Sequence, residues 1–224
     1  MKIIFLLPPS EWKNSWWGFS QEKTSFKFPK PIDIANNATE KDLKCKAIRY
    51  EEGLNLNKNI ALWPFEYGIH RYKWVMYNAI DYPNMTNKWK QFFENNFIII
   101  SWMYGLVKPL DIIGNYKLPI ESKWLYKFWW EEITNAINRL NPDYIVNLLS
   151  GSYLKVIKKQ KLNWQLINVN FLMEKNWKIV KISHGVKKIK WNWIKKISEN
   201  WIENYRKFGG EIVENNDNID INIL

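Results

Sequence analysis

The sequence predicts a mixed α/β (α+β) fold. One domain holds a central sheet flanked by helices, with a basic helix toward the C-terminus. Three observations predict it. Short apolar runs bounded by turn residues recur at 3–7, 97–101 and 144–148, as buried strands require. Segments of helical period lie between them, clearest at 123–140. Apolar residues make up 46% of the 224 residues, enough for one substantial core, and no repeat or linker divides the chain. Residues 1–213 read as one domain and 214–224 as a polar, frayed tail.

Each element follows from local chemistry. Lys2 to Leu7 is a continuous apolar run stopped by Pro8-Pro9, a buried strand. Residues 14–38 are rich in Pro, Asn, Ser and Lys and read as loop. Thr39 to Tyr50 opens with a capping threonine and acidic Glu40 and Asp42, so a helix is expected. Pro64 to Asp81 has apolar residues at helical spacing, weakened by Gly68. Asn87 to Asn95 predicts a short helix and Phe97 to Ser101 a strand. Val107 to Leu118 carries turn chemistry at Lys108-Pro109 and Gly114-Asn115. Lys123 to Leu140 is the clearest helix, with Leu125, Phe128, Trp129, Ile133, Ile137 and Leu140 on one face. Tyr144 to Leu148 predicts a strand, and Ser150 to Ile157 a helix capped by Ser150. Leu166–Leu172 and Lys178–Ile182 predict a hairpin pair of strands. His184 to Phe208 predicts a basic helix, with Ile189, Trp193, Ile197 and Trp201 at four-residue steps.

Composition bounds the function. Cys45 is the single cysteine, so no disulfide closes within the chain, which suits a reducing cytoplasm. The apolar run at 3–7 is shorter than the h-region of a signal peptide, and no run approaches the ~20 apolar residues of a membrane span. A cytoplasmic protein with no membrane partner is expected. Two histidines and one cysteine without ligand spacing predict no metal site and no cofactor, and leave little for direct iron chelation. The formal charge of +11 points to a polyanionic partner. A second source is open. Only four of the basic residues are arginine, and Lys, Asn and Ile have AT-rich codons, so a low-GC genome raises lysine by itself.

The candidate site residues sit after predicted strands. Ser10, Glu11 and Lys13 follow the first strand in PPSEWK (8–13), where α/β folds often carry function. The segment lacks the spacing of a phosphate-binding P-loop. Asn147 and Ser150 follow the strand at 144–148, and Ser183-His184 closes the predicted hairpin. Convergence of these groups would make a pocket for a phosphorylated or nucleotide-like substrate, an enzymatic alternative. Lys187, Lys188, Lys190, Lys195 and Lys196 form the densest basic cluster, either a phosphate-binding face or a solvated one.

Tryptophan is out of place in this chain. There are 15 Trp and 9 Gly, where average usage gives roughly 16 Gly. Trp12, Trp102 and Trp177 stand in turn-like segments where a small residue is expected, because glycine serves positive φ and close approach.

Several segments together resemble the YaaA family of peroxide-stress-resistance proteins. They are PPSEWK (8–13), RYKWVMYNAIDY (71–82), SWMYGLVKPLDII (101–113), LYKFWWEEITNAI (125–137), VNLLSGSYLKVI (146–157) and MEKNWKIVKISHGVKKIKW (173–191), in the family's order. The resemblance implies a cytoplasmic α/β protein that limits iron-driven DNA damage under peroxide and binds double-stranded DNA through a basic cleft. On that reading Lys13, Arg71, Lys108, Lys187 and Lys188 line the anion-binding surface, with Ser183 and His184 nearby. The resemblance also puts glycine opposite Trp12, Trp74, Trp102, Trp130, Trp177 and Trp191, while Trp129 matches a family tryptophan. Convergence of one rare, bulky residue on glycine positions points to UGA codons that the organism reads as glycine; the rival account is genuine tryptophan, with the indoles acting as core or as base-stacking platforms. With glycine at 102, Ser101 to Gly105 becomes a Gly-x-x-Gly turn able to offer N–H groups to a phosphate. Two departures stand out. The family has Tyr-Arg-Leu-Glu-Met-Gly where this chain has residues 116–121 as Tyr-Lys-Leu-Pro-Ile-Glu, and an acidic residue opposite Ser152.

Overall fold

A computed structural model describes residues 2–15, 18–62, 64–175, 178–181, 210–215 and 218–223, with side chains as far as Val169. The central strand is β1 (Ile3–Leu7), buried along its whole length. Five consecutive apolar residues suit a strand covered on both faces, as parallel sheets require. Next come α1 (Ile32–Asn36), α2 (Glu40–Leu43) and α3 (Ile48–Lys58). The predicted 39–50 helix is therefore divided. Thr39 and Asp42 close a reciprocal capping box at the start of α2, and Lys44 then turns left-handed at φ 53°. Residues 32–36, expected as loop, are helical.

The predicted 64–81 helix is also broken, into β2 (Glu66–Tyr67), α4 (Gly68–Arg71) and α5 (Val75–Ile80). Tyr72 leaves the helix to bridge antiparallel to Lys13, and Trp74 adopts φ 100°, which no α-helix contains. α6 (Asn87–Asn96) is capped by Thr86, whose hydroxyl accepts from the Trp89 N–H. β3 (Phe97–Ser101), β4 (Gly105–Val107) and β5 (Ile112–Ile113) follow. α7 (Leu125–Leu140) matches the expected long helix and buries Leu125, Trp129, Ile133 and Ile137. After it come β6 (Tyr144–Asn147) and the single turn α8 (Gly151–Leu154), shorter than the 150–157 expectation.

β7 (Leu166–Lys175) and β8 (Lys178–Lys181) form the expected antiparallel pair, from Leu172↔Lys181 to Lys175↔Lys178. β9 (Gly210–Asn215) and β10 (Asn218–Ile223) occupy the segment expected to fray; β10 runs parallel to β7 and pairs antiparallel with β9. Residues 218–223 alternate Asn and Asp with Ile, so a period of two underlies the end of what reads as a polar tail. The expected 184–208 helix lies outside the described residues.

The main sheet runs β4-β3-β1-β6-β7-β10-β9, with β8 attached to β7, and β2 and β5 form a small second sheet. β1 is parallel to β3 on one side (Leu7↔Ile99) and to β6 on the other (Leu6↔Asn147). The chain thus steps from β1 to one neighbour and later to the other. The loops leaving β1 and β6 part at the carboxyl edge of the sheet. That is where open α/β sheets leave a crevice.

The core is aromatic. Phe5, Phe93 and Phe97 are fully buried, and Phe97 stacks on Phe5 at 4.5 Å and packs on Phe93 at 4.4 Å. Trp129 is fully buried and donates its indole N–H to the Trp102 carbonyl at 2.7 Å, tying α7 to the β3–β4 turn. Gly105 ends that turn at φ 73°. A Cβ there would lie 2.7 Å from the Phe28 ring and 3.0 Å from Trp129, so only glycine fits.

Candidate functional site at the carboxyl edge of the sheet

β1 hands the chain to Pro8-Pro9, and the loop then folds Lys13 back toward the sheet. Lys13 pairs with Tyr72 as an isolated bridge, and the Lys73 N–H donates to the Trp12 carbonyl at 2.9 Å. The Lys13 ammonium donates to the Ser10 carbonyl at 3.0 Å. It lies 4.0 Å from the ring centre of Tyr116 and 5.6 Å from that of Tyr72. The residue keeps some exposed surface, while its amine is packed among these rings. Burial is the main force on this group, and Lys117 and Arg71 add repulsion that Glu11 only partly offsets. The amine is lowered to about 7.

Under Lys13 lies a fixed hydroxyl network. The Tyr116 hydroxyl shares hydrogen bonds of 2.9 Å with Tyr72 and with Ser101. Backbone N–H groups of Trp102 and Met103 also reach it. Burial holds the phenols of Tyr72 and Tyr116 above their ordinary range. At the rim, Glu11 pairs with Lys117 at 3.6 Å. Lys117 is held by Asn57, which is completely buried. Its amide accepts from the Lys117 N–H at 2.9 Å and donates to the Lys117 carbonyl at 2.8 Å. Tyr153 of α8 stacks on Trp102 at 5.3 Å. Burial, and then the carboxylates of Glu11 and Glu121, push its phenol up to about 12.

Of the sequence-predicted residues, Ser10, Glu11 and Lys13 come together in this loop. Asn147 and Ser150 reach the same edge through β6, which lies beside β1. Asn147 accepts from the Leu149 N–H at 2.9 Å and donates to Asn168 at 2.8 Å, and the Ser150 hydroxyl lies 3.3 Å from that of Ser152. Arg71 is not a surface contact. It is fully buried, and its guanidinium donates to the carbonyls of Asn14 and Pro64. It clamps two loops and presents no charge to an anion. Lys108 stands apart from Lys13 and lines a separate cavity of 420 Å³ with Lys23, Ser25, Tyr67, Glu94 and Asp111. Ser183, His184, Lys187 and Lys188 lie outside the described residues. The Ser101–Gly105 turn does not offer free N–H groups. It is buried, and its donors serve the Tyr116 and Ser101 hydroxyls. Tyr72, Tyr116, Tyr153 and Lys117 were not identified from sequence. Aromatic and basic residues are common in this chain, and only the fold brings these four together.

The tryptophans divide by environment. Trp74 has φ 100° and ψ 177°, a region that glycine alone adopts without strain, and its indole is 52% exposed. Trp12 is 57% exposed and stacks on Trp74 at 5.5 Å. Trp130 is 43% exposed, beneath the Lys158 ammonium. Trp124 has φ 70° and is 61% exposed. Trp102 differs, being buried and packed. Trp177 and Trp191 lie outside the described residues. Among the described residues no group of three or more His, Cys, Asp or Glu is placed to hold a metal ion, and no helix is long and apolar enough to cross a membrane.

Comparison with known proteins places this arrangement in a family. Residues 3–210 match the family model described as peroxide stress protein YaaA. A UPF0246 protein of Rickettsia bellii is 32% identical over 193 residues, covering 79% of this chain and 78% of that protein. UPF0246 proteins of Rickettsia conorii and Rickettsia africae are 36% and 37% identical over 130 residues, covering 54% of this chain and 52% of theirs. With the model match spanning nearly the whole chain, this protein belongs to the peroxide stress protein YaaA family.

Proposed function

We propose that this protein acts in the peroxide stress response by binding DNA through its phosphates, along the carboxyl edge of the parallel strands, and so limits iron-driven damage to the duplex. The observation that carries the reading is the pair Lys13 and Lys117 at the mouth of the crevice beside β1, in a chain of net charge +11. A phosphate placed there raises the pKa of the Lys13 amine by direct attraction, so binding takes up a proton near neutral pH. Charge reversal tests it. Lys117→Glu should weaken duplex binding at least about 10-fold at low salt, because an attractive contact becomes repulsive. Unchanged affinity in a folded variant would sink the reading.

A second reading is favoured by one observation, that the loop after β1 with Ser10, Glu11 and Lys13 and the end of β6 with Asn147 and Ser150 leave the same edge of neighbouring strands. It is an enzyme acting on a phosphorylated or nucleotide-like substrate. Competition separates the two. A mononucleotide that displaces duplex at equal phosphate concentration favours the small-substrate site, and failure to compete favours the DNA surface.

We infer also that Trp12, Trp74 and Trp130 are glycine in the protein as its organism makes it, through UGA codons, and that Trp124 joins them. The support is the positive φ of Trp74 and Trp124 and the exposure of all four indoles. Trp102, which the family also matches with glycine, is the counterweight, because its indole is packed. The coding DNA decides: UGA at these codons is expected, and UGG would end the idea.

A further inference from the structure

We propose that the cavity beside Lys108 is a second binding site, for a phosphate monoester on a small polar body: a sugar phosphate or a mononucleotide. Its volume is 420 Å³, within the range of small-molecule sites. α6 ends where β3 begins, and β4 runs back antiparallel to β3, so Glu94, Asn95 and Lys108 meet beside the start of β3. β1 is parallel to β3, and the Lys13 loop leaves from the opposite end of it. The two places lie at opposite edges of the sheet, and the proposal is independent of the duplex reading.

The frame of this cavity is preformed. Lys23 and Ile112 exchange two backbone hydrogen bonds, of 3.0 and 2.8 Å, which tie the strap at 23–25 to β5. Asp111 is buried, and its carboxylate is spent inside the wall. One oxygen accepts from the Ser25 N–H at 2.9 Å and from the Ser25 hydroxyl at 2.6 Å; the other accepts from the Lys108 N–H at 2.8 Å. The Gly68 N–H donates to the Asp111 carbonyl at 2.8 Å and holds the turn against α4. The backbone that carries Lys23, Thr24 and Lys108 is therefore fixed by main-chain bonds, with no need of a ligand to order it.

What is left facing the cavity is rich in donors. Lys23 and Lys108 both line it, and neither ammonium has an ion pair or a hydrogen bond among the described residues, although Asp111 attracts Lys108 through space. The hydroxyls of Thr24 and Tyr67 and the Asn95 amide line the same space, and they too have no hydrogen-bond partner among the described residues. The other carboxylate, Glu94, already accepts the Tyr82 hydroxyl. Free donors outnumber free acceptors, which selects an anion. No arginine among the described residues lines the cavity, so the planar fork that matches a carboxylate is missing. Two ammonium groups and two hydroxyls suit the three terminal oxygens of a phosphate monoester, which accept from several directions. Leu110 and Ile112 supply apolar surface for the body that carries it.

The monoester has two sources, and the test uses both. The full chain is titrated by calorimetry with ribose 5-phosphate, AMP, ribose, adenosine and malate, at about 50 mM salt so that screening is weak. At least one ester should bind, at least about 10-fold tighter than its own body without the phosphate and tighter than malate. Lys23→Gln and Lys108→Gln should each weaken that ester about 10-fold, since each removes a charge-assisted contact. Lys117→Gln, at the other edge, should leave ester binding unchanged. In the unaltered chain the methyl NMR signals of Leu110 and Ile112 should move as ester is added, a readout that needs no variant to fold. No binding of either ester, malate bound as tightly as the esters, or binding lost in Lys117→Gln and kept in Lys23→Gln and Lys108→Gln overturns the proposal. Equal affinity for the two esters assigns the sugar phosphate as the part recognised; tighter binding of AMP assigns the mononucleotide.

Discussion

At Trp74 the chain holds φ 100° with a β-carbon present, and the residue on each side has a fixed task. Lys73 donates its N–H to Trp12, and Val75 opens α5. The conformation cannot relax without losing one of them. Non-glycine residues in such regions cost about 1–3 kcal/mol. Glycine removes that strain but loses the stack with Trp12 and some chain entropy. Trp74→Gly should therefore stabilise the protein by about 1 kcal/mol, read as a rise in Tm of roughly 2–4 °C for a chain of this size. A fall in Tm would show that the indole is native packing. Lys13 gives a second prediction at this scale. Its folded pKa lies near 7 against 10.5 in the unfolded chain. Across that window the unfolded chain holds a proton that the folded one lacks, so stability rises with pH through it and is lowest below it. Lys13→Met removes the term. Its gain in Tm over the parent should be largest near pH 6 and should fade toward pH 10.5, as followed by thermal melts. An equal gain at both ends would mean that the amine is not desolvated.

Among the elements, those readable from sequence are the ones whose burial is written into consecutive residues. β1, β3 and β6 are apolar runs, and α7 carries one clean apolar face. The segments that misled are those whose shape depends on distant partners. Residues 64–81 have helical spacing, yet Tyr72 is pulled out to meet Lys13, and Arg71 is drawn to the carbonyls of Asn14 and Pro64. α3 buries Gly53 and Asn57, so no apolar stripe marks it. The site divides in the same way. Ser10, Glu11, Lys13, Asn147 and Ser150 were legible because they follow strands. Tyr116, Tyr72 and Lys117 were not, since only folding stacks them under and beside Lys13. Asn57 shows the dependence. It is the link that fixes Lys117 to α3, and it also donates to the Ala35 carbonyl at 3.2 Å. Asn57→Ala leaves buried backbone groups of Lys117 without partners, at a cost of about 2–3 kcal/mol. Urea melts should show that loss, and duplex affinity should fall with it as Lys117 loosens. A change under about 0.5 kcal/mol would contradict this placement.

At the scale of the whole molecule, the order β3-β1-β6 puts the divergence of two loops at one edge of the sheet, in a chain of net charge +11. Family membership supplies the setting of peroxide stress, and the edge beside β1 is where the proposed phosphate contact falls. Residues 187–196, the densest basic cluster of the sequence, lie outside the described residues, and the proposed phosphate contacts are Lys13 and Lys117. Two phosphate contacts release counterions with a slope of about −1.8 in log affinity against log salt. The most direct measurement is duplex binding as a function of salt, made on the protein with glycine at positions 12, 74, 124 and 130. Affinity should fall about 12-fold or more between about 50 and 200 mM salt. No binding at the low-salt end, or an affinity that salt leaves unchanged, would contradict a site built on phosphate contacts.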